Sequence, residues 1–179
     1  MQSEEKSEKR YSRTGMAGRL IFWIGILCIA AAVITLLIHP VYRVYGSVMS
    51  PTLSEGDVVI ADRNSVMKPG DVAALTYNNK LLIRRVIAQE GDEVDVDESG
   101  TVTVNGVQLT EPYVKGSAGG RITTAFPLIV PEGTIFVLAD NRENGMDSRA
   151  DEIGCLPAGS AEGKIRFRIW PLMRFGVVR

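Results

Sequence analysis

The chain has 179 residues, with 20 Lys and Arg against 21 Asp and Glu, so its formal net charge is −1. This balance provides no basic field for nucleic acid, and the length suggests one domain with an appendage. One His and two Cys argue against a Ser-His-Asp triad, a His-rich metal site and a disulfide framework, so we expect no cofactor and no metal.

The first element in chain order is an apolar segment, residues 20–38, that contains no charged residue. As an α-helix it would span about 28 Å, close to the roughly 30 Å hydrocarbon core of a bilayer. A secretory signal peptide has a shorter apolar region and ends at a cleavage site of small residues, which the following segment, residues 39–43, does not offer. The sequence therefore predicts a retained transmembrane helix in contact with lipid.

The charges that flank this helix predict its orientation. Five basic residues precede it and Arg43 alone follows closely; the five are Lys6, Lys9, Arg10, Arg13 and Arg19. Positive residues favour the cytoplasmic side, so residues 1–19 are predicted to be a disordered cytoplasmic tail and residues 40–179 an extracytoplasmic domain. We expect a single-pass protein of the cell membrane.

Residues 40–179 show short apolar runs, alternation and turn residues, without helical periodicity. Strands are predicted near residues 58–60, 72–75, 81–83, 94–97, 101–104, 107–109, 134–139 and 164–170. Asn105-Gly106 is typical of a two-residue hairpin turn, and the three glycines of residues 115–121 predict a loop. The fold class is therefore all-β, one domain of antiparallel sheets with an N-terminal transmembrane helix.

Three segments then follow one another in a specific order. The first contains Met49-Ser50-Pro51-Thr52-Leu53, the second Ile83-Arg84-Arg85-Val86, and the third Asp140-Asn141 followed by Asp147-Ser148-Arg149. In order and spacing they resemble the type I signal peptidases, membrane-bound serine proteases that remove signal peptides from exported proteins. The resemblance covers residues 20–179 and implies that family's β fold, with the single-anchor layout of its Gram-positive type.

The resemblance also implies a Ser/Lys dyad, in which a neutral Lys takes the proton of a nucleophilic Ser and a second Ser orients the Lys. Here Val48 stands at the nucleophile position, Arg84 at the general-base position and Gly145 at the orienting position, and Ala139 replaces the usual Gly. Valine has no atom that attacks a carbonyl. Deprotonating an arginine at neutral pH costs about 7 kcal/mol. We therefore predict that no catalytic residue of the dyad is intact.

Two serines and one lysine are candidates for a displaced catalytic site. In an extended segment Ser47 would face away from Val48, and Ser50 would lie about 6.6 Å from it. Lys80 would lie about 13 Å along the strand from Arg84. An active signal peptidase with a displaced nucleophile therefore stays an alternative.

The remaining residues of the three segments are predicted to build the site. Five of them are expected to line a peptide groove: Gly46, Ser47, Met49, Ser50 and Pro51. Five others are expected to form a structural network of charged and polar side chains: Asp140, Asn141, Asp147, Ser148 and Arg149. A buried Arg84 needs an acceptor, which is predicted to be Asp140 or Asp147, or alternatively a carboxylate or carbonyl of a partner protein.

These residues lead to a function hypothesis without cleavage. A groove recognises an extended peptide through backbone pairing and pockets, and this needs no nucleophile. Signal-peptidase-like proteins without a dyad act as accessory factors in the assembly of surface pili in Gram-positive bacteria. The most specific hypothesis is therefore a chaperone-like module for pilus assembly, with an exported protein such as a pilin or a sortase as partner. A regulatory partner of an active signal peptidase is another alternative.

Overall fold

A computed structural model describes residues 2–114 and 120–178, and within the first helix it describes the side chains of residues 18–35 and 38. The predicted loop at residues 115–121 lies mostly outside the described residues. The chain forms two compact units, Met1–Ile38 and His39–Arg179.

The first unit is a single helix, α1, which spans Gln2–Ile38. Every described side chain from Gly18 to Thr35 is exposed, and this segment is long and apolar enough to cross a membrane. The prediction of a disordered tail at residues 1–19 is wrong from Gln2 onward, because the helix continues through it. Gln, Glu, Lys and Arg predominate there; they have high helix propensity, and extending a formed helix adds one hydrogen bond per residue.

The second unit contains twelve strands within the described residues. They are β1 (Val41–Arg43), β2 (Val58–Asp62), β3 (Val72–Tyr77), β4 (Lys80–Gln89), β5 (Glu93–Val96), β6 (Val102–Val104), β7 (Val107–Gln108), β8 (Leu128–Ile129), β9 (Thr134–Leu138), β10 (Leu156–Pro157), β11 (Ala161–Trp170) and β12 (Gly176–Val177). Two short 3₁₀ helices, Ala158–Ser160 and Leu172–Arg174, flank β11.

These strands form two antiparallel sheets. The larger has the order β1-β2-β11-β3-β4-β9-β10, with β12 paired to β11, and the smaller has the order β7-β6-β5-β8. The predicted hairpin joins β6 to β7, with φ of 50° at Asn105 and 77° at Gly106, as a tight hairpin turn requires. The all-β prediction is confirmed.

Two strands differ from their predicted form. β4 runs for ten residues, so that it carries both Arg84 and Arg85, whereas the apolar run predicted only its first part. In β11 the predicted alternation is interrupted by irregular pairing with β2 between Ile165 and Phe167 and again between Arg168 and Trp170. Each such bulge shifts the following side chains to the other face.

The apolar core fixes the first segment on the larger sheet. Val44, Met49 and Leu53 are buried and pack in one cluster with Val59, Ala61, Val72, Ala74, Ile83 and Ile165 from strands β2, β3, β4 and β11. A second cluster joins the two sheets, since it combines Phe136 and Leu138 of β9 with Val94 and Val96 of β5. Burial of side chains of this size contributes about 1.5–3 kcal/mol each.

Candidate functional site

A cavity of about 560 Å³ opens on the larger sheet of the second unit. It is lined by residues 41–45, which include β1, and by residues 80–84, the first half of β4. Val48 and Met49 complete the lining between these two segments. Two of the three positions that distinguish the chain from a dyad protease, Val48 and Arg84, therefore border one cavity.

Both strands beside the cavity have an unpaired edge within the described part of the chain. β9 pairs with β4 only from Arg85 onward, so residues 80–84 bond to β3 alone. β1 pairs with β2 on one side. Unpaired N–H and C=O groups of this kind accept an added strand. The cavity is thus suited to an extended peptide.

The segment that carries Val48 is a turn. The Ser50 N–H donates to the Ser47 carbonyl at 3.0 Å, and the Leu53 N–H donates to the Met49 carbonyl at 2.8 Å. The prediction of an extended segment is therefore wrong, and strand spacings do not apply to Ser47 or Ser50. The third segment holds this turn in place, because Asn141 donates its backbone N–H to the Val48 carbonyl at 2.9 Å.

Of the five predicted groove residues, Met49 alone is among the lining residues of the cavity; Gly46, Ser47, Ser50 and Pro51 are not. Met49 itself is 2% exposed. Sequence reasoning missed the contribution of residues 41–45 and 81–83. The apolar and aromatic residues of these short segments gave no signal of a cavity, because the free edges depend on strand pairing.

Arg84 is 7% exposed and bonds to backbone carbonyls. Its Nε and Nη2 donate to the Met146 carbonyl at 2.9 and 2.8 Å, and its Nη1 donates to the Ile83 carbonyl at 2.7 Å. Burial lowers its pKa, while the Asp147 carboxylate acts in the opposite direction. Since the ordinary arginine pKa is above about 12, the guanidinium remains a cation at neutral pH.

The predicted partners of Arg84 bind other arginines. Arg85 makes a two-point ion pair with Asp140, at 2.8 Å from Nε to Oδ1 and 2.6 Å from Nη2 to Oδ2. Arg149 makes the equivalent pair with Asp147, with both contacts at 2.9 Å. The expectation that Asp140 or Asp147 pairs with Arg84 is therefore wrong. Neighbouring residues on a strand face opposite sides, which sends Arg85 toward Asp140 and Arg84 elsewhere.

The predicted structural network is buried and extends further than predicted. Asp140 also accepts a hydrogen bond from the Thr52 hydroxyl at 2.5 Å, and the Ser148 hydroxyl accepts one from the Val137 N–H at 3.0 Å. The Asn141 side-chain amide donates to the Ser47 carbonyl at 3.2 Å. The network thus connects the first and third segments.

A second layer of this network was missed in the sequence. Arg142 is fully buried and pairs with Glu111 at 2.5 Å. Tyr113 donates to Glu111 at 2.8 Å, and its ring lies 3.9 Å from the Arg85 guanidinium carbon. Burial, followed by the Glu111 charge, raises the pKa of Tyr113. These residues come from loops, where no periodicity marks a buried charge.

Gly145 and Ala139 are sterically coupled. A Cβ atom at position 145 would lie 2.2 Å from the Ala139 Cβ and 2.9 Å from the Asn141 carbonyl oxygen. The methyl group of Ala139 therefore occupies the space that a side chain at position 145 requires. The added methyl group at position 139 and the missing side chain at position 145 therefore compensate each other in volume.

Among the residues that the structure describes, no group of three or more His, Cys, Asp or Glu side chains could hold a metal ion. The cavity is lined by three basic side chains, Arg43, Lys80 and Arg84, together with apolar side chains and two tyrosines.

The fold and the cavity define a class: an antiparallel β domain that follows an apolar helix and offers a peptide-sized cleft between strand edges. Residues 17–170 match the family model described as Signal peptidase, peptidase S26. The chain belongs to this family.

Similar proteins carry the family's name. Signal peptidase IB of Staphylococcus aureus (strain Mu50 / ATCC 700699) is 31% identical over 183 residues, covering 89% of this chain and 94% of that protein. Signal peptidase I of Bacillus caldolyticus is 32% identical over 174 residues, covering 88% and 93%. The crystal structure of a signal peptidase I from Enterococcus faecalis V583 is 30% identical, covers 56% of this chain and 98% of its own, and has a TM-score of 0.46.

Proposed function

We propose that this protein is a catalytically inactive member of the signal peptidase family that binds an extended peptide of an exported protein. The observation that carries the proposal is the occupation of the dyad positions by Val48 and Arg84, both at the cavity. A hydrocarbon side chain cannot attack the peptide carbonyl, and a permanent cation cannot accept a proton.

Among the described residues, no serine or threonine side chain lines the cavity as a substitute nucleophile, which supports the proposal. The hydroxyl groups that border the cavity belong to Tyr42 and Tyr45, whereas Ser47 and Ser50 are not lining residues. Among the described lysines, Lys164 pairs with Asp71 at 2.6 Å, and none donates to a serine or threonine hydroxyl. A nucleophile and its base typically lie within about 2.6–3.2 Å of each other, or somewhat further apart without a ligand.

The proposal includes attachment to the cell membrane through α1. The apolar, fully exposed segment Gly18–Thr35 supports a transmembrane span. The excess of basic residues before this segment supports a cytoplasmic N-terminus and an extracytoplasmic β domain. An exported chain would then meet the cavity outside the membrane.

The most specific form of the proposal is an accessory factor for surface pilus assembly, with a pilin or a sortase as partner. It rests on the analogy with dyad-free relatives of the signal peptidases. A regulatory partner of an active signal peptidase is the second form. Purification of the tagged protein from its own cells after cross-linking distinguishes them, since the main partner is a pilin or sortase in the first case and an active peptidase in the second.

An active signal peptidase is the competing function, favoured by the names of the relatives. We expect the full chain in detergent to leave a preprotein uncut, and a variant with V48S, R84K, A139G and G145S to recover cleavage. The last two changes are needed together because of the 2.2 Å contact. The control is S47A/S50A in the unmodified chain, which should also leave the preprotein uncut. Cleavage by the unmodified chain that S47A/S50A abolishes would establish a displaced nucleophile and overturn the proposal.

A further inference from the structure

We infer that the cavity selects peptides that carry an acidic side chain within an apolar stretch, and that Arg84 is the carboxylate receptor. The inference rests on the proposed function, because it names the class of peptide that the same cavity binds. It follows from three features: the charge of the lining, the unsatisfied donors of Arg84, and the apolar character of the remaining surface.

The cavity lining is positive although the protein as a whole is not. Of its lining residues in the described part of the chain, three are basic, namely Arg43, Lys80 and Arg84, and none is acidic. Arg43 and Lys80 are exposed, and neither takes part in an ion pair among the described residues. The chain has a formal net charge of −1. A cleft lined by one sign of charge concentrates the opposite sign of ligand.

Arg84 differs from the other buried arginines of the structure. Arg85 pairs with Asp140 at 2.6 Å, Arg142 with Glu111 at 2.5 Å and Arg149 with Asp147 at 2.9 Å. Arg84 is also buried, at 7% exposure against 0–1% for these three, yet no described carboxylate lies within ion-pair distance of it. A buried charge is normally paired, so Arg84 holds a binding capacity that the folded chain does not use.

The guanidinium retains donors for a ligand. Its bonds to the Met146 and Ile83 carbonyls use three N–H groups, and an arginine has five. One N–H remains on Nη1 and one on Nη2. Two adjacent donors match the two oxygens of a carboxylate. Burial lowers the pKa of Arg84, and a bound carboxylate would offset this effect.

The rest of the lining determines what flanks the acidic residue. Apart from the three basic residues, the lining consists of apolar and aromatic side chains: Val41, Tyr42, Val44, Tyr45, Val48, Met49, Leu81, Leu82 and Ile83. An extended peptide paired with the free edge of residues 80–84 directs alternate side chains into the cavity. The peptide side chains that enter the cavity are therefore apolar, except for one carboxylate opposite Arg84.

The test measures binding of short peptides to the full chain in an uncharged detergent by fluorescence anisotropy. The probe is a labelled seven-residue peptide of alternating Ala and Val with a central Glu and blocked termini. The control peptide is identical except that Gln replaces Glu. We expect the Glu peptide to bind at least about tenfold more tightly at low salt. The difference should narrow in high salt, because Arg43 and Lys80 are exposed to screening.

Variants assign the effect to the cavity. Arg84→Gln should abolish the preference for Glu over Gln, and a circular dichroism melt checks that the variant is folded. Lys80→Gln changes an exposed side chain and should weaken Glu-peptide binding about two- to threefold at low salt. Lys68→Gln is the matched control, since Lys68 is an exposed lysine outside the lining, and it should leave the affinity unchanged.

The outcomes separate the inference from the proposed function. Equal binding of the Glu and Gln peptides overturns the inference and leaves peptide binding in place. Failure of both peptides to bind the unmodified chain overturns peptide binding in this cavity. A Gln peptide with a free C-terminal carboxylate that binds more tightly than the blocked Glu peptide would overturn the assignment to a side-chain carboxylate.

Discussion

Positions 139 and 145 lie so close together that side chains at both would clash. Ala139 is fully buried, and its backbone N–H donates to the Asp147 carboxylate at 3.0 Å, so it cannot move away from a neighbour. Gly145 has room only because it lacks a side chain. An orienting serine at 145 is thus incompatible with alanine at 139.

We expect Gly145→Ser alone to destabilise the domain by about 1–3 kcal/mol, because it overpacks this contact. The double variant Ala139→Gly with Gly145→Ser should recover most of that free energy of unfolding. A double-mutant cycle from denaturant unfolding measures the coupling, expected at about 1–3 kcal/mol. If the changes in unfolding free energy of the two single variants simply added, the two side-chain volumes would not be coupled.

The positions of Arg84 and Arg85 were predictable from the sequence, but their hydrogen-bond partners were not. The sequence places both on one strand, and alternation implies opposite faces. It does not tell which acceptor each arginine finds, since Asp140, Asp147 and the Met146 carbonyl come from a different part of the chain. The burial of Arg84 was predictable from its apolar neighbours, but its lack of a carboxylate partner was not.

At the level of elements, β11 holds the larger sheet together by pairing with both β2 and β3. Its pairing with β3 shifts register between Ala161 and Gly163. Gly163 has φ of 154°, and a Cβ there would lie 3.0 Å from the Asp62 carbonyl oxygen of β2. The close approach of β2 and β11 therefore requires glycine.

We predict that Gly163→Ala lowers the free energy of unfolding by about 1–3 kcal/mol, because the methyl group forces the two strands apart. Gly159→Ala is the matched control, since a Cβ at Gly159 meets no atom within 4 Å. Chemical denaturation of the full chain in detergent compares the two. Equal free energies of unfolding for the two variants would contradict the prediction, because they would show that β2 and β11 accommodate the methyl group.

Strand positions were largely predictable, whereas strand lengths and bulges were not. Apolar runs and the Asn105-Gly106 turn located eight strands, and β3 is buried throughout Val72–Leu75 as its run indicates. Strands β1, β8, β10 and β12 have two or three residues each, too short for a periodic signal. The register of β11 shifts in its pairing with both β2 and β3, and no local pattern in the sequence marks these shifts.

At the level of the whole molecule, the apolar helix supports attachment of the protein to a membrane. Each described side chain of Gly18–Thr35 is exposed, which in water would leave a large apolar surface uncovered. We expect the chain to remain in the membrane fraction after alkaline extraction. An alkaline phosphatase fused to the C-terminus should be active if residues 39–179 lie outside.

Leu27→Arg tests the span directly, because an arginine at the centre of a transmembrane helix costs about 3 kcal/mol. The variant should shift a measurable part of the protein to the soluble fraction, while Leu27→Ala should not. Full release of the unmodified chain by alkaline extraction would argue against an anchor.

The sequence by itself determined the apolar helix, the all-β domain and the residue types at positions 48 and 84, because hydropathy, alternation and residue chemistry are local properties. Tertiary structure alone decided that the Val48 segment is a turn, that the edges beside residues 41–45 and 80–84 are free, and that Arg84 lacks a carboxylate. These features depend on which distant segments meet, and pairing across the sheet sets that, since no local pattern encodes the partner of a strand edge or of a buried charge.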